Sequence, residues 1–115
     1  MDNNTQLGQK GEQLAVDYLM SKGYVIRERN YRYKRAEIDI IMEKEEFLVF
    51  VEVKMRSGKS FGNPEEFVDD KKIEFIQMAA ENYLEEVDWK GNIRFDIISI
   101  IKKSIPEVDH FEDAF

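Results

Sequence analysis

A chain of 115 residues that is 43% hydrophobic and 36% charged has room for one sheet with helices packed on it, and so for one domain spanning residues 1–115. Its formal net charge of −7 argues against a general nucleic-acid binder, and the absence of cysteine excludes disulfides, thiolate metal sites and a cysteine nucleophile. No apolar run reaches the length of a membrane span and residues 1–10 read as lacking a signal-peptide core, so the expected setting is the cytoplasm, with no membrane partner.

In chain order, Leu7, Gly11, Leu14, Ala15, Tyr18 and Leu19 recur with helical period and Gly23 follows as a stop, which predicts a helix over 5–22. Tyr24–Tyr33 mixes aromatic, β-branched and basic residues and predicts an edge strand. Between Arg27 and Arg35 stand five cations (Arg27, Arg29, Arg32, Lys34, Arg35) and one acid, Glu28. Such a strip on an acidic body can hold a phosphate backbone. The plainer alternative is a solvated strand edge whose positive charges discourage aggregation.

Glu37–Met42 and Phe47–Lys54 predict two strands joined by the polar turn Glu43–Glu46. Ser57–Asn63 reads as a glycine-containing loop, with Asn63 as cap and Pro64 in a first helical turn. Asp69 is a second candidate cap. The main helix is expected from there to Glu86, with the apolar stripe Ile76, Ala79, Ala80, Tyr83 and Leu84. Gly91 breaks the chain, and Asn92–Ile101 is a strongly apolar strand. The order α-β-β-β-α-β puts a helical crossover before the last strand, which makes its pairing parallel and right-handed. The expected fold is therefore α/β, a central mixed sheet flanked by helices.

If Met42 pairs with Phe47, Glu37 faces Glu52 and Asp39 faces Phe50. Glu37, Asp39, Glu52 and Lys54 then share one face, with Asp39 and Glu52 as diagonal neighbours. Two such carboxylates can close on one hard cation. Glu52 and Lys54 interrupt an otherwise buried apolar strand, where unpaired charge is expensive. A divalent cation there would offset the excess negative charge, activate a water and relieve charge on a scissile phosphate, with Lys54 supporting the transition state. The alternative is a surface ion-pair ladder at a strand end.

Gly8-Gln9-Lys10-Gly11-Glu12, Glu28-Arg29-Asn30, Ala36-Glu37-Ile38-Asp39, Phe50-Val51-Glu52-Val53-Lys54, Arg56, Lys72, Arg94-Phe95-Asp96 and Ala114-Phe115 form an ordered series over nearly the whole chain. It resembles the YraN-like family, bacterial proteins assigned to the PD-(D/E)XK, restriction-endonuclease-like superfamily. The resemblance implies that Asp39 and Glu52 are metal ligands, that Lys54 is the catalytic lysine, and that Glu12 is an additional acidic residue at the metal. Glu37 fits the family's Gly-Glu-Ile-Asp pattern, although Ala36 stands where that pattern has glycine.

The expected activity is that of a Mg²⁺- or Mn²⁺-dependent endonuclease or structure-selective resolvase acting on DNA. Arg29, Arg32, Arg35, Arg56 and Lys72 are the candidate nucleic-acid contacts, and a homodimer would suit a cut in both strands. Lys72 shares the helical stripe of Ile76, Ala79 and Tyr83 and so points towards the sheet. A non-catalytic nucleic-acid-binding module and a protein-interaction domain are the rival readings.

Other signals carry less. Ser57-Gly58-Lys59-Ser60 mimics a phosphate-binding loop, but Val53 stands where that motif needs its first glycine. His110, the single histidine, leaves nothing for a histidine zinc site or a Ser-His-Asp triad and reads as a surface tail residue. Trp89 reads as a packing lid, and Tyr31 and Tyr33 as strand packing rather than base-stacking platforms.

Overall fold

The computed structural model describes residues 3–57 and 69–115. The glycine-containing loop expected after Ser57 and the Asn63-Pro64 helix start lie outside the described residues. Helix α1 spans Asn3–Ser21, followed by strands β1 (Val25–Tyr33), β2 (Ala36–Lys44) and β3 (Phe47–Ser57), helix α2 (Asp70–Val87), and strands β4 (Asn92–Lys102) and β5 (Glu107–Phe111). The five strands form one sheet in the order β1-β2-β3-β4-β5. Pairing is antiparallel throughout except between β3 and β4, which run parallel on either side of the α2 crossover, as expected.

Each face of the sheet carries one helix. Ala15, Val16 and Leu19 of α1 bury Ile40, Met42, Val49, Val51, Ile98 and Ile100. Ile76, Ala79, Ala80 and Tyr83 of α2 bury Ala36, Ile38, Ile41, Leu48, Phe50 and Ile97 on the other face. β3 and β4 are covered on both sides, which is why both read as nearly unbroken apolar runs. Gly11 lets α1 approach β3, since a Cβ there would run into the Met55 side chain.

Asp69 caps α2 as expected, its carboxylate accepting the Lys72 backbone N–H at 2.8 Å. This fixes Lys72 in the first helical turn. Asp88 closes the helix in the left-handed region at φ 52.

Two expectations change. β2 and β3 pair with Lys44 opposite Phe47, two residues beyond the expected Met42–Phe47 register. Glu45 adopts φ 57, so Glu45 and Glu46 alone make the turn. The slip is an even number of residues, so on a regular pleat each side chain keeps its face. β5 was not among the expected strands. It adds an antiparallel edge to β4, with His110 opposite Ile98.

Candidate active site

The site begins where β2 breaks its alternation. Ala36 and Ile38 pack on the α2 side, whereas Ile40 and Met42 pack on the α1 side. A regular strand would send all four the same way, so the pleat switches at Asp39. On β1, Arg29 pairs with Ile40 and Tyr31 with Ile38, which sets Asn30 across from Asp39, and Asn30 has φ 55. The β2–β3 ladder stops at Ile40–Val51. Just beyond it, the Asp39 carboxylate accepts the Val53 backbone N–H at 2.8 Å. A side chain thus replaces a ladder bond, and the strands open there. β3 itself stays in register with β4, with Glu52 opposite Ile97 and Lys54 opposite Ser99.

This opening exposes a cavity of about 260 Å³, lined by Asp39 and Glu52 with Arg35, Ala36, Glu37, Lys72, Phe75 and Ile76 around them. Glu52 is only 4% exposed. Its Oε2 lies 3.8 Å from Lys54 Nζ and in closer contact with Lys72 Nζ. Both are ionic contacts. The atom accepts no well-aligned hydrogen bond.

Burial, together with a hydrogen bond to the Glu52 carboxyl, pushes Asp39 up to about 8, with Glu12 adding a smaller like-charge effect. Asp39 therefore keeps its proton near neutrality. Burial lowers Lys54, and the neighbouring Lys72 charge pushes the same way against the pull of Glu52. Burial also works to lower Lys72, but its contact with Glu52 prevails and its pKa is raised.

Of the residues expected at the site, Asp39, Glu52, Lys54 and Lys72 come together. Asp39 and Glu52 are opposed rather than diagonal once the corrected register is extended by one pair. Glu37 is not opposite Glu52. It lines the cavity and pairs with Arg32 at 3.6 Å. Glu12 does not line the cavity. Its Oε1 accepts from Asn30 Nδ2 at 3.0 Å and stands 3.9 Å from Arg29.

The basic strip is largely neutralised within the chain. Arg27 pairs with Glu43 at 3.1 Å, Arg29 with Gln13 and Glu12, and Arg32 with Glu37. Arg35 lines the cavity mouth, is exposed, and makes no ion pair among the described residues. Arg56 lies further along β3 opposite Ile101 and does not line the cavity.

The packing readings of the aromatics hold. The Tyr31 hydroxyl donates to Glu86 at 2.7 Å and its ring meets Tyr83 edge-on, while Trp89 Nε1 donates to the Asn92 carbonyl at 2.9 Å. His110 is a correction. Its side chain is 8% exposed, and Nε2 lies 2.7 Å from the Asp96 carboxylate. Asp96, fully buried, also takes two bonds from the Arg94 guanidinium at 2.8 Å and the Asp113 backbone N–H at 3.0 Å. Burial pushes Asp96 up, but these three partners outweigh it and hold the carboxyl below its ordinary range. The sequence signal was the Arg94-x-Asp96 pair inside an apolar strand.

The carboxylate pair fits a hard divalent cation. Both donors are oxygens, the buried Glu52 Oε2 is met by ammonium groups but by no well-aligned hydrogen bond, and a cavity opens on the pair. Among the described residues no three acidic or imidazole groups converge as a ready-made cage. Mg²⁺ does not need one, since it is usually held by one or two carboxylates and keeps several waters.

The family model described as "Uncharacterised protein family UPF0102" matches residues 11–100. A UPF0102 protein from Christiangramia forsetii is 47% identical across all of this chain and 98% of its own length. UPF0102 protein FP2501 from Flavobacterium psychrophilum is 46% identical with the same coverage. A UPF0102 protein from Alkaliphilus oremlandii is 45% identical over 97% of this chain and 99% of its own length.

Proposed function

The chain belongs to the uncharacterised protein family UPF0102, and we propose that it is a metal-dependent nuclease of the PD-(D/E)XK class that hydrolyses DNA phosphodiester bonds in the cytoplasm. One observation carries the reading: a buried glutamate and an aspartate meet where two strands part, with a lysine two residues after the glutamate on the same strand. An ion ladder at a strand end would be solvated. Here Glu52 is buried, and the contacts around it lie beside an open cavity.

Asp39 and Glu52 would hold Mg²⁺ or Mn²⁺, which when bound lowers the pKa of a water and offsets phosphate charge. Asp39 must give up its proton first. Lys54 Nζ stands 3.8 Å from Glu52 Oε2, and burial makes its ammonium a readier proton donor than a solvated lysine. It is suited to stabilising charge on a phosphate oxygen and to passing a proton from Nζ to the departing oxygen. Arg35, at the cavity mouth, is placed to hold an adjoining phosphate. Glu12 supports the site through its charge and by fixing Asn30 beside the strand opening. A cut in both strands would gain from two copies of the chain acting together.

The test is incubation of the pure protein with plasmid, branched DNA and RNA, with Mn²⁺ or with chelator. Cleavage of DNA that requires metal and disappears in Glu52→Gln and Lys54→Ala is the expected result. DNA binding with no cleavage in any metal would leave a binding module on the same scaffold and defeat the catalytic reading.

A further inference from the structure

Glu52 is not waiting empty for a cation. The Lys72 ammonium already rests on its Oε2, in closer contact than Lys54 at 3.8 Å. We infer that Lys72 is a built-in counter-ion that occupies the cation position on Glu52, must leave when a divalent metal binds, and is thereby released to hold a substrate phosphate at the cavity mouth. This rests on the metal-dependent reading of the same site.

Lys72 is badly placed for any purpose of its own helix. It sits in the first turn of α2, where the positive end of the helix disfavours a cation. Asp69 has already capped the Lys72 backbone N–H, so the ammonium contributes nothing to the cap. Glu52, with a smaller attraction from Asp39, accounts for its inward course. The contact also solves a problem for the metal-free protein, because a carboxylate 4% exposed is costly without a positive neighbour.

The same geometry gives the released side chain somewhere to go. Lys72 and Arg35 both line the cavity, as do the carboxylates. Displaced from Glu52, the half-exposed ammonium is free to take a phosphate of the bound nucleic acid, since Glu37, the further carboxylate lining the cavity, is already paired with Arg32. Metal and nucleic acid then favour one another: metal frees the phosphate ligand, and phosphate keeps it from returning to Glu52. Such coupling is reciprocal by linkage.

Lys72 thus acts as an internal competitor. It lowers apparent metal affinity by the fraction of time Glu52 is available. A half-exposed ammonium on a buried carboxylate makes that penalty about tenfold.

Calorimetric titration with Mn²⁺ alone tests this on the parent, Lys72→Met, Lys72→Arg and Lys54→Met. Methionine keeps the apolar stem and removes the charge. Lys72→Met should bind Mn²⁺ about tenfold tighter, whereas Lys72→Arg should stay near the parent and Lys54→Met should gain less. With DNA present, Mn²⁺ should tighten binding to the parent but give little enhancement in Lys72→Met. Parent binding of Mn²⁺ with unchanged or weaker binding in folded Lys72→Met would overturn the counter-ion role while leaving the nuclease reading standing. An equal gain in Lys54→Met would reduce it to a general charge effect and overturn it too. A parent that takes up no Mn²⁺ would remove both. Circular dichroism melts identify a variant that has failed to fold, and Lys72→Gln then takes its place.

Discussion

Asp39 carries its proton because burial and the neighbouring Glu52 carboxyl both disfavour its charged form. Its folded value of about 8 lies above the ordinary 3.8. The folded state therefore binds a proton that the unfolded chain has released between those values. The associated stability is full below about pH 4 and declines as pH rises towards 8. Asp39→Asn removes the titration and keeps an oxygen to accept the Val53 N–H. The metal-free variant should be at least as stable as the parent at pH 8, with a flatter melting temperature between pH 5 and 8. Asp96 runs the opposite way. Its folded value is lowered, so its stabilisation is present above about pH 4 and is lost as pH falls further. Removing one partner of a buried ion pair costs about 3–5 kcal/mol. Asp96→Ala should show a loss of that size in urea denaturation at pH 7, with less sensitivity to acid than the parent. The two aspartates also differ in how far the sequence revealed them. Glu52 and Lys54 stand out as charges where apolar residues belong, Asp39 follows from its expected place on the same strand face, and Lys72 follows from helical spacing to Ile76. The Asp96–His110 bond was not legible, because it depends on β5 folding back along β4, and no local pattern marks His110 as inward.

At the scale of elements, the short connections decide where the site lies. Apolar runs placed the core of every strand from β2 to β4, but turn geometry lengthened the β2–β3 hairpin by a pair of residues on one arm. Non-glycine residues at positive φ, Glu45 and Asn30, made the difference, and a one-letter sequence does not announce them. β5 was missed because its five residues, Glu107–Phe111, alternate weakly and follow Pro106. Gly91 is a connection whose need is steric. A Cβ there would lie 2.6 Å from the Glu46 carbonyl oxygen, a backbone atom that also accepts the Asn92 N–H at 2.9 Å. Gly91→Ala should cost about 1–3 kcal/mol, as overpacking does, because backbone must move to relieve it. Chemical denaturation measures this. The β1–β2 connection yields a binding prediction. Arg29 and Arg32 are already paired, whereas Arg35 in the turn faces the cavity mouth. Arg35→Ala should weaken DNA binding more than either of the other two substitutions. It should also flatten the log–log salt slope by roughly 0.7–0.9, the loss of one phosphate contact. Fluorescence anisotropy across a salt series separates the three, and an unchanged slope in Arg35→Ala would return the turn to an ordinary solvated edge.

For the whole molecule, the alternation of helix and strand already required a parallel crossover and a helix on the sheet, and the apolar stripes of α1 and α2 supply one cover for each face. A body with net charge −7 then concentrates its chemistry in one opening rather than along a basic surface. That arrangement ties global stability to the site. Anything bound only by the folded state stabilises it, by about 2.7 kcal/mol when the ligand is at 100 times its Kd. At roughly 2–8 °C per kcal/mol, such binding should raise the melting temperature of the parent by at least about 5 °C in excess Mn²⁺. Asp39→Asn loses a charged ligand, so its melting should become indifferent to Mn²⁺ even though its metal-free form is not weakened. Lys54→Ala should do the reverse. It removes a positive neighbour 3.8 Å from Glu52, so the Mn²⁺ shift should persist or grow while cleavage disappears. A purely structural ion network predicts another set: Asp39→Asn melts lower than the parent, and Mn²⁺ moves none of the three curves. Thermal melts of the parent and both variants, with and without millimolar Mn²⁺, distinguish these outcomes, and a parent unmoved by Mn²⁺ would count decisively against a metal-dependent site.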